Sequence, residues 1–156
     1  MASETTGPTI WIDGDGVPRP TKEIVFKASL RTRVSVILVA NSFQRVPKAN
    51  CVRAVKVGSG FDVADDYIAE NCQPGDLVIT SDIPLAARVI EAGGTVIRFR
   101  GEEITADNVR QRLESRDFME ALRGSGVMTG GPPAFGPKDR QHFANALDRW
   151  ISRSRS

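Results

Sequence analysis

Aspartates at the ends of apolar runs are the residues of this chain best placed to do chemistry. They are Asp13, Asp15, Asp62, Asp65 and Asp82. Three of them follow runs that are typical of buried strands, and two open a helix-like stretch. The carboxyl ends of neighbouring parallel strands meet at one crevice, where ligands bind. Carboxylates that converge there repel one another unless a hard divalent cation neutralises them, so the pattern predicts a Mg²⁺- or Mn²⁺-dependent site for phosphate chemistry.

Position along the chain suggests a role for each of these acids. We expect Asp13 and Asp82 to be direct metal ligands, because each follows a central strand. Asp15 and Asp65 can bind the metal through water or act as the catalytic base. Asp62 stands at a helix N-cap position, where it can cap the helix and support the metal site. An aspartate after a strand can equally cap a helix or close a turn, so the prediction depends on the whole set.

Alternating strand and helix patterns predict an α/β fold, with a single three-layer α/β/α domain around a mainly parallel central sheet. Strands are predicted at residues 9–12, 34–40, 51–57, 76–80 and 95–99. Helices are predicted at residues 21–30, 63–70, 85–91, 105–122 (with a break near Ser115) and 138–151. The domain is expected to span residues 9–151, between a flexible leader (1–8) and a tail (152–156). A Gly/Pro-rich strap at 124–137 would carry the C-terminal helix back onto the domain.

Composition excludes several classes of protein. With 156 residues and 40% hydrophobic content, the chain suits one domain. It has no apolar run of the roughly 20 residues that span a membrane, and no signal-peptide pattern, so we expect a cytoplasmic protein without a membrane partner. Cys51, Cys72 and the lone His142 do not form a zinc-ligand pattern. The two thiols are expected to be buried and reduced, and His142 to lie on a helix surface.

Basic and polar residues suggest where a nucleic-acid substrate could bind. The net charge is +2, and residues 98–156 carry 11 basic and 8 acidic side chains. Arg116 and Arg123 flank the strap and could contact a nucleic-acid backbone, although a solvated arginine-rich helix face would give the same pattern. Asn41 and Ser81 lie at strand ends, where they could hydrogen-bond a substrate phosphate or a ligand carboxylate.

Three motifs resemble the PIN-like nuclease superfamily, including its NYN branch. In those proteins an aspartate ends the first strand, an acidic helix precedes the fourth strand, and Thr-x-Asp or Ser-x-Asp follows it. Asp13 corresponds to the first motif, residues 64–69 to the second and residues 80–85 to the third. The resemblance implies a PIN-like fold and metal-dependent hydrolysis of nucleic acid, with RNA favoured over DNA.

A closer resemblance, to the bacterial YaiI/YqxD-type family, covers nearly the whole chain. The matching segments are residues 38–41, 60–65, 75–80, 82–86, 116–119, 129–133 and 143–150. That family is uncharacterised, and nuclease activity is implied only through its similarity to the wider superfamily. Gly14, Gly16 and Val17 stand where the family usually has alanines and a cysteine, so no thiol is essential here. Many PIN nucleases also carry a glutamate on a middle helix, and none lies between Ser42 and Cys51.

Two other functions remain open. Residues 13–17 resemble the nucleophile loop of haloacid-dehalogenase-type phosphatases, in which the first aspartate attacks phosphorus. Those enzymes also need a later lysine, and no lysine lies between Ser81 and Lys138. A non-catalytic RNA-binding or regulatory domain of the same fold is the other alternative. It is favoured by the missing glutamate and opposed by the intact aspartates.

Overall fold

The computed structural model describes residues 7–60, 62–114 and 134–154. Its strands are β1 (Thr9–Asp13), β2 (Ser35–Ala40), β3 (Val52–Lys56), β4 (Leu77–Ile79), β5 (Thr95–Ile97) and β6 (Glu103–Ile104). Its helices are α1 (Arg19–Thr32), α2 (Val63–Asn71), α3 (Ile83–Glu91), a helical segment at 109–114 (α4), and α5 (Pro137–Ser154). The predicted alternation of strands and helices is confirmed from β1 to β5.

The strands form one sheet in the order β3-β2-β1-β4-β5-β6. Neighbours from β3 to β5 are parallel, and only β6 is antiparallel, at the edge beside β5. The chain runs outward from β1 to β3 on one side and resumes at β4 on the other. The switch in strand order therefore lies between β1 and β4, where open α/β sheets bind ligands at the carboxyl ends of the strands.

Buried side chains cover both faces of this sheet. On one face Ile10 and Ile12 of β1 lie in a hydrophobic cluster with residues of α1 and α5, among them Phe143. On the other face Trp11 and Val39 lie in a second cluster with residues of α2 and α3. Successive residues of a strand point to opposite faces, so apolar strands without alternation are what a sheet covered on both sides requires. The predicted three-layer α/β/α fold is confirmed.

Local sequence sets where the helices next to the switch begin. Pro20 and Pro84 occupy the first turns of α1 and α3, where their missing N–H groups cost nothing. Asp82 caps α3, because its Oδ1 accepts a hydrogen bond from the Leu85 N–H at 2.9 Å. Both helices thus start close to the strand ends that precede them, β1 and β4.

The region after β5 departs from the sequence prediction. Residues 105–108 form a turn, and the helix predicted from Thr105 begins at residue 109. Thr105 and Asn108 exchange side-chain-to-backbone hydrogen bonds of 2.9 and 3.2 Å, a reciprocal pattern like a capping box, so this turn leads into the helical segment. The two-residue strand β6 was not predicted. The break near Ser115 and residues 115–133, which include most of the strap, lie outside the described residues. No helix in the described part of the chain has both the length and the apolar character needed to cross a membrane.

Candidate active site

The ends of β1 and β4 lie side by side at the switch in strand order. Ile12 pairs with Ile79, which makes Asp13 and Thr80 the next residues on the two strands. The Asp13 carboxylate is 9% exposed and accepts a hydrogen bond of 2.9 Å from the hydroxyl of the fully buried Thr80. The same hydroxyl accepts a bond of 3.0 Å from the Asp82 N–H. Thr80 therefore connects two of the predicted site aspartates.

Asp65, in the first turn of α2, lies close to Asp13 and Asp82. Its carboxyl shares a hydrogen bond with that of Asp82, which requires a proton between two acids. Burial is the largest cause that raises the pKa of Asp65, and the charges of Asp82 and Asp13 raise it further, to about 7. We call Asp13, Asp65 and Asp82 the acidic cluster. The structure brings these three residues together, although they are up to 69 positions apart in the sequence.

The pKa of Asp13 is also raised. Burial is the main cause, and the charges of Asp82 and Asp15 act in the same direction. Hydrogen bonds from the Thr80 hydroxyl and the Gly16 backbone oppose the shift. The folded chain therefore holds several carboxyl groups at a spacing where their ionised forms repel one another, as expected from desolvation and like charge.

Asp15 and Asp62 lie at the margin of the acidic cluster. Asp15 is exposed, and its carboxylate accepts a 2.8 Å hydrogen bond from the Asn41 N–H, which ties the loop after β1 to the end of β2. Asp62 precedes α2, but its side chain makes no capping hydrogen bond, so the predicted capping role is wrong. Its backbone is left-handed (φ 65°), whereas a capping side chain needs an extended backbone to reach the first N–H groups. Its charge still contributes to the raised pKa of Asp65.

A lysine and a glutamine beside the acidic cluster were not predicted as site residues. The Lys22 ammonium donates a 2.6 Å hydrogen bond to Gln44 Oε1, and Gln44 Nε2 donates one of 3.0 Å to the Gly14 carbonyl. Burial lowers the pKa of Lys22, while the charges of Asp15 and Asp13 oppose that shift. The sequence position of Lys22 could have predicted its location, because the first turn of a helix that follows β1 must lie at the carboxyl edge of the sheet. The loop position of Gln44 carried no such signal.

Gly14 fits the close approach of this loop to β2. Its N–H donates to the Val39 carbonyl at 2.8 Å. A Cβ at Gly14 would come within 2.8 Å of Leu38 Cδ2 and 3.0 Å of Ala40 Cβ. Contacts that short do not occur for real side chains without movement of a neighbour. The glycine therefore lets the segment after Asp13 lie flat against β2.

Comparison with known proteins identifies a family that matches nearly the whole chain. A family model described as "Uncharacterized BCR, YaiI/YqxD family" matches residues 11–153. The chain belongs to the YaiI/YqxD family. A UPF0178 protein of Shewanella sp. (strain ANA-3) is 55% identical over 92% of this chain and 96% of its own length. One from Pectobacterium carotovorum subsp. carotovorum (strain PC1) is 50% identical over 94% of this chain and 97% of its own length. No solved structure matched the chain significantly.

The chemistry of the acidic cluster suits a divalent cation, but its arrangement is not that of a finished metal site. Within residues 7–60, 62–114 and 134–154, no group of three or more His, Cys, Asp or Glu side chains is positioned to hold a metal ion. One oxygen of Asp13 is bound by Thr80 and one of Asp82 by Leu85. The other oxygens, with Asp65, are hard donors of the type that Mg²⁺ and Mn²⁺ prefer. Rotation of these side chains would be needed to bring them onto one ion.

The remaining sequence-predicted residues of this YaiI/YqxD-family protein lie at the margin of the acidic cluster or outside the described residues. Arg116 and Arg123 fall in the undescribed segment 115–133. The side chain of Asn41 is exposed, and Ser81 is half-buried between Thr80 and Asp82. Two other expectations are confirmed: Cys51 and Cys72 are buried free thiols, and His142 is exposed on α5.

Proposed function

We propose that this protein is a Mg²⁺- or Mn²⁺-dependent nuclease that hydrolyses RNA phosphodiester bonds at the acidic cluster. The observation that carries the proposal is the convergence of Asp13, Asp65 and Asp82 at the switch between β1 and β4, where burial and neighbouring carboxylates raise the pKa values of Asp13 and Asp65. Carboxyl groups held against their own repulsion in a cleft are typical of functional sites. A bound divalent cation would supply charge neutralisation and Lewis-acid polarisation of the phosphate.

Side chains of the protein itself would orient the reacting groups and accept protons from them. Thr80 fixes the Asp13 carboxylate by its hydroxyl, and Asp82 is held in place by the first turn of α3. Asp65 lies beside Asp13 and Asp82, and its carboxylate could accept a proton from the attacking water as a general base. Lys22 lies close enough to Asp13 and Asp15 for their charges to act on it, and it can hold a phosphate oxygen.

Adjacent aspartates on α2 offer a matched test. The exposed Asp66 is paired with Arg88 at 2.7 Å, whereas Asp65 faces the acidic cluster. With Mn²⁺ and a labelled single-stranded RNA, we expect Asp65→Asn to lose turnover and Asp66→Asn to retain it. Asp13→Asn should also abolish cleavage, with the fold retained by circular dichroism. Equal turnover by Asp13→Asn and the wild type would refute the proposal.

A non-catalytic RNA-binding domain is the second candidate. The observation that favours it is the lack of a ready-made set of three metal ligands among the described residues. It predicts RNA binding that survives Asp13→Asn and Asp82→Asn, with no cleavage at any Mn²⁺ concentration. Because asparagine is also a good N-cap, Asp82→Asn removes a charge without uncapping α3.

A further inference from the structure

A groove lies directly beside the acidic cluster, between the first half of α1 and the segment after β2. Its volume is about 540 Å³, and its walls include Arg19, Lys22, Phe43, Gln44 and Arg45. Gln44 links the groove to the acidic cluster, because it bonds Lys22 on one side and the carbonyl of the residue after Asp13 on the other. The groove therefore lies next to the loop that follows Asp13.

The groove carries an excess of positive charge. Three basic side chains, Arg19, Lys22 and Arg45, face one acid, Glu23. Arg19 and Glu23 form an exposed ion pair at 3.4 Å, so Lys22 and Arg45 account for the excess positive charge among the residues that line the groove. Basic side chains along a groove are the electrostatic footprint of a phosphate chain. The groove therefore favours a polyanion as its ligand, whereas the acidic cluster favours a cation.

An exposed aromatic ring lines the same groove. Phe43 is 83% exposed, and the only other exposed large hydrophobic side chain among the described residues is Leu30, at 46%. Leu30 is not part of the groove wall. A phenylalanine in open solvent beside arginine and lysine matches how proteins bind single strands, with a base stacked on the ring and cations on the backbone. A base in a duplex has no free face for such a contact.

We propose that this groove binds single-stranded nucleic acid, with a base stacked on Phe43 and backbone phosphates on Arg45 and Lys22. Its volume is in the range of sites that hold a drug-sized ligand, which corresponds to about one or two nucleotides. The inference rests on the proposed nuclease function in one respect: the bound strand leads to the acidic cluster. The binding itself does not require cleavage.

Binding measured without metal separates the two proposals. Fluorescence anisotropy of a short labelled single-stranded RNA, in EDTA, should show about 10-fold weaker binding for Phe43→Ala, the effect of losing one stacked base. Phe43→Tyr should bind as the wild type does, because it keeps a ring. Arg45→Ala should lower the slope of log K against log[salt] by about 0.7, one phosphate contact on a single strand.

Two controls lie on α1 outside the groove wall. Leu30→Ala removes an exposed apolar side chain, and Lys27→Ala removes an exposed cation. Both should leave affinity and salt slope unchanged. Binding of RNA by Phe43→Ala within two-fold of the wild type, equal binding of duplex and single strand, or no binding by the wild type would each overturn the groove proposal. Single-stranded DNA serves as the parallel probe, and preference for DNA would overturn RNA as the ligand.

Cleavage assays in Mn²⁺ then show which proposal fails. If Phe43→Ala cleaves with an unchanged KM while Asp13→Asn is inactive, the nuclease proposal stands and the groove proposal is wrong. If Phe43-dependent binding is present but no variant or wild type cleaves, the groove stands and the nuclease proposal is wrong. If both stand, Phe43→Ala raises KM and leaves kcat close to the wild-type value.

Discussion

Replacement of Thr80 by valine tests the central contact of the acidic cluster. The side chain is fully buried, donates to Asp13 Oδ2 at 2.9 Å and accepts from the Asp82 N–H at 3.0 Å. Valine has nearly the same shape and neither donates nor accepts hydrogen bonds. Thr80→Val therefore leaves the Asp13 carboxylate buried with one hydrogen bond fewer and leaves the Asp82 N–H without its acceptor.

The size of the effect can be worked out from these two contacts. A hydrogen bond to a charged group contributes about 1.5–3 kcal/mol, and an orphaned N–H costs about 1 kcal/mol. The added methyl group returns about 1 kcal/mol through apolar burial. We expect a net loss of about 1.5–3 kcal/mol in the free energy of unfolding, or about 3–12 °C in Tm for a chain of this size.

The loss should depend on pH. The pKa of Asp13 in the folded chain is raised by burial and lowered by the Thr80 hydroxyl, so Thr80→Val raises it further. An acid whose folded-state pKa lies above its unfolded value contributes stability at low pH, and that contribution is lost as pH rises through the folded pKa. The gap between Thr80→Val and the wild type should therefore widen as the pH rises through the folded-state pKa of Asp13.

Urea denaturation in EDTA at several pH values measures this gap. Thr80→Ser keeps the hydroxyl and loses only a methyl group, so it should show a smaller penalty that does not vary with pH. A Thr80→Val penalty below about 0.5 kcal/mol at pH 8, or one that is the same at pH 5 and pH 8, would show that the hydroxyl does not stabilise the ionised Asp13.

Two further predictions concern other aspartates. The pKa of Asp65 is about 7 in the folded chain, against an ordinary value of 3.8, so its stabilising contribution is lost as pH rises through 7. Between pH 5 and pH 8 in EDTA, Asp65→Asn should therefore lose less stability than the wild type. The difference should be about 1–2 kcal/mol, which allows for solvent screening of this half-buried group. Asp66→Asn should behave as the wild type does. Asp76 is buried and accepts hydrogen bonds from Thr9, Trp11 and Gln73. Asp76→Ala should cost about 3–5 kcal/mol in thermal or urea unfolding and change the near-ultraviolet circular dichroism of Trp11.

The part of the site that strands position was predictable from the sequence. Asp13 and Asp82 follow runs that only a buried parallel strand explains, and chain order placed those strands at a common edge. The opposite position of Asp76, at the start of β4, was predictable for the same reason. Strand ends limit the location of a residue to within a few ångströms, because the pairing register is fixed by the sheet.

Features that depend on loop conformations and side-chain rotamers could not be predicted from the sequence. Asp62 has the sequence signature of an N-cap, yet its left-handed backbone points the side chain away from the helix N–H groups. The contact between Lys22 and Gln44 depends on how the loop after β2 folds back over α1, which no periodicity encodes. Strand β6 has two residues, too few for an alternating pattern to appear.

The acidic cluster and the groove beside it have opposite charges, and this contrast bears on how a nuclease could work here. Three carboxyl groups alone would repel a phosphate chain, so an acidic site needs a second surface that holds the chain while a cation screens the acids. Lys22 stands between the two surfaces, within reach of the charges of Asp13 and Asp15 and in contact with Gln44. If both proposals hold, loss of Lys22 should weaken metal-free RNA binding and slow cleavage of bound RNA as well. Arg45, which lines only the groove, should affect binding alone.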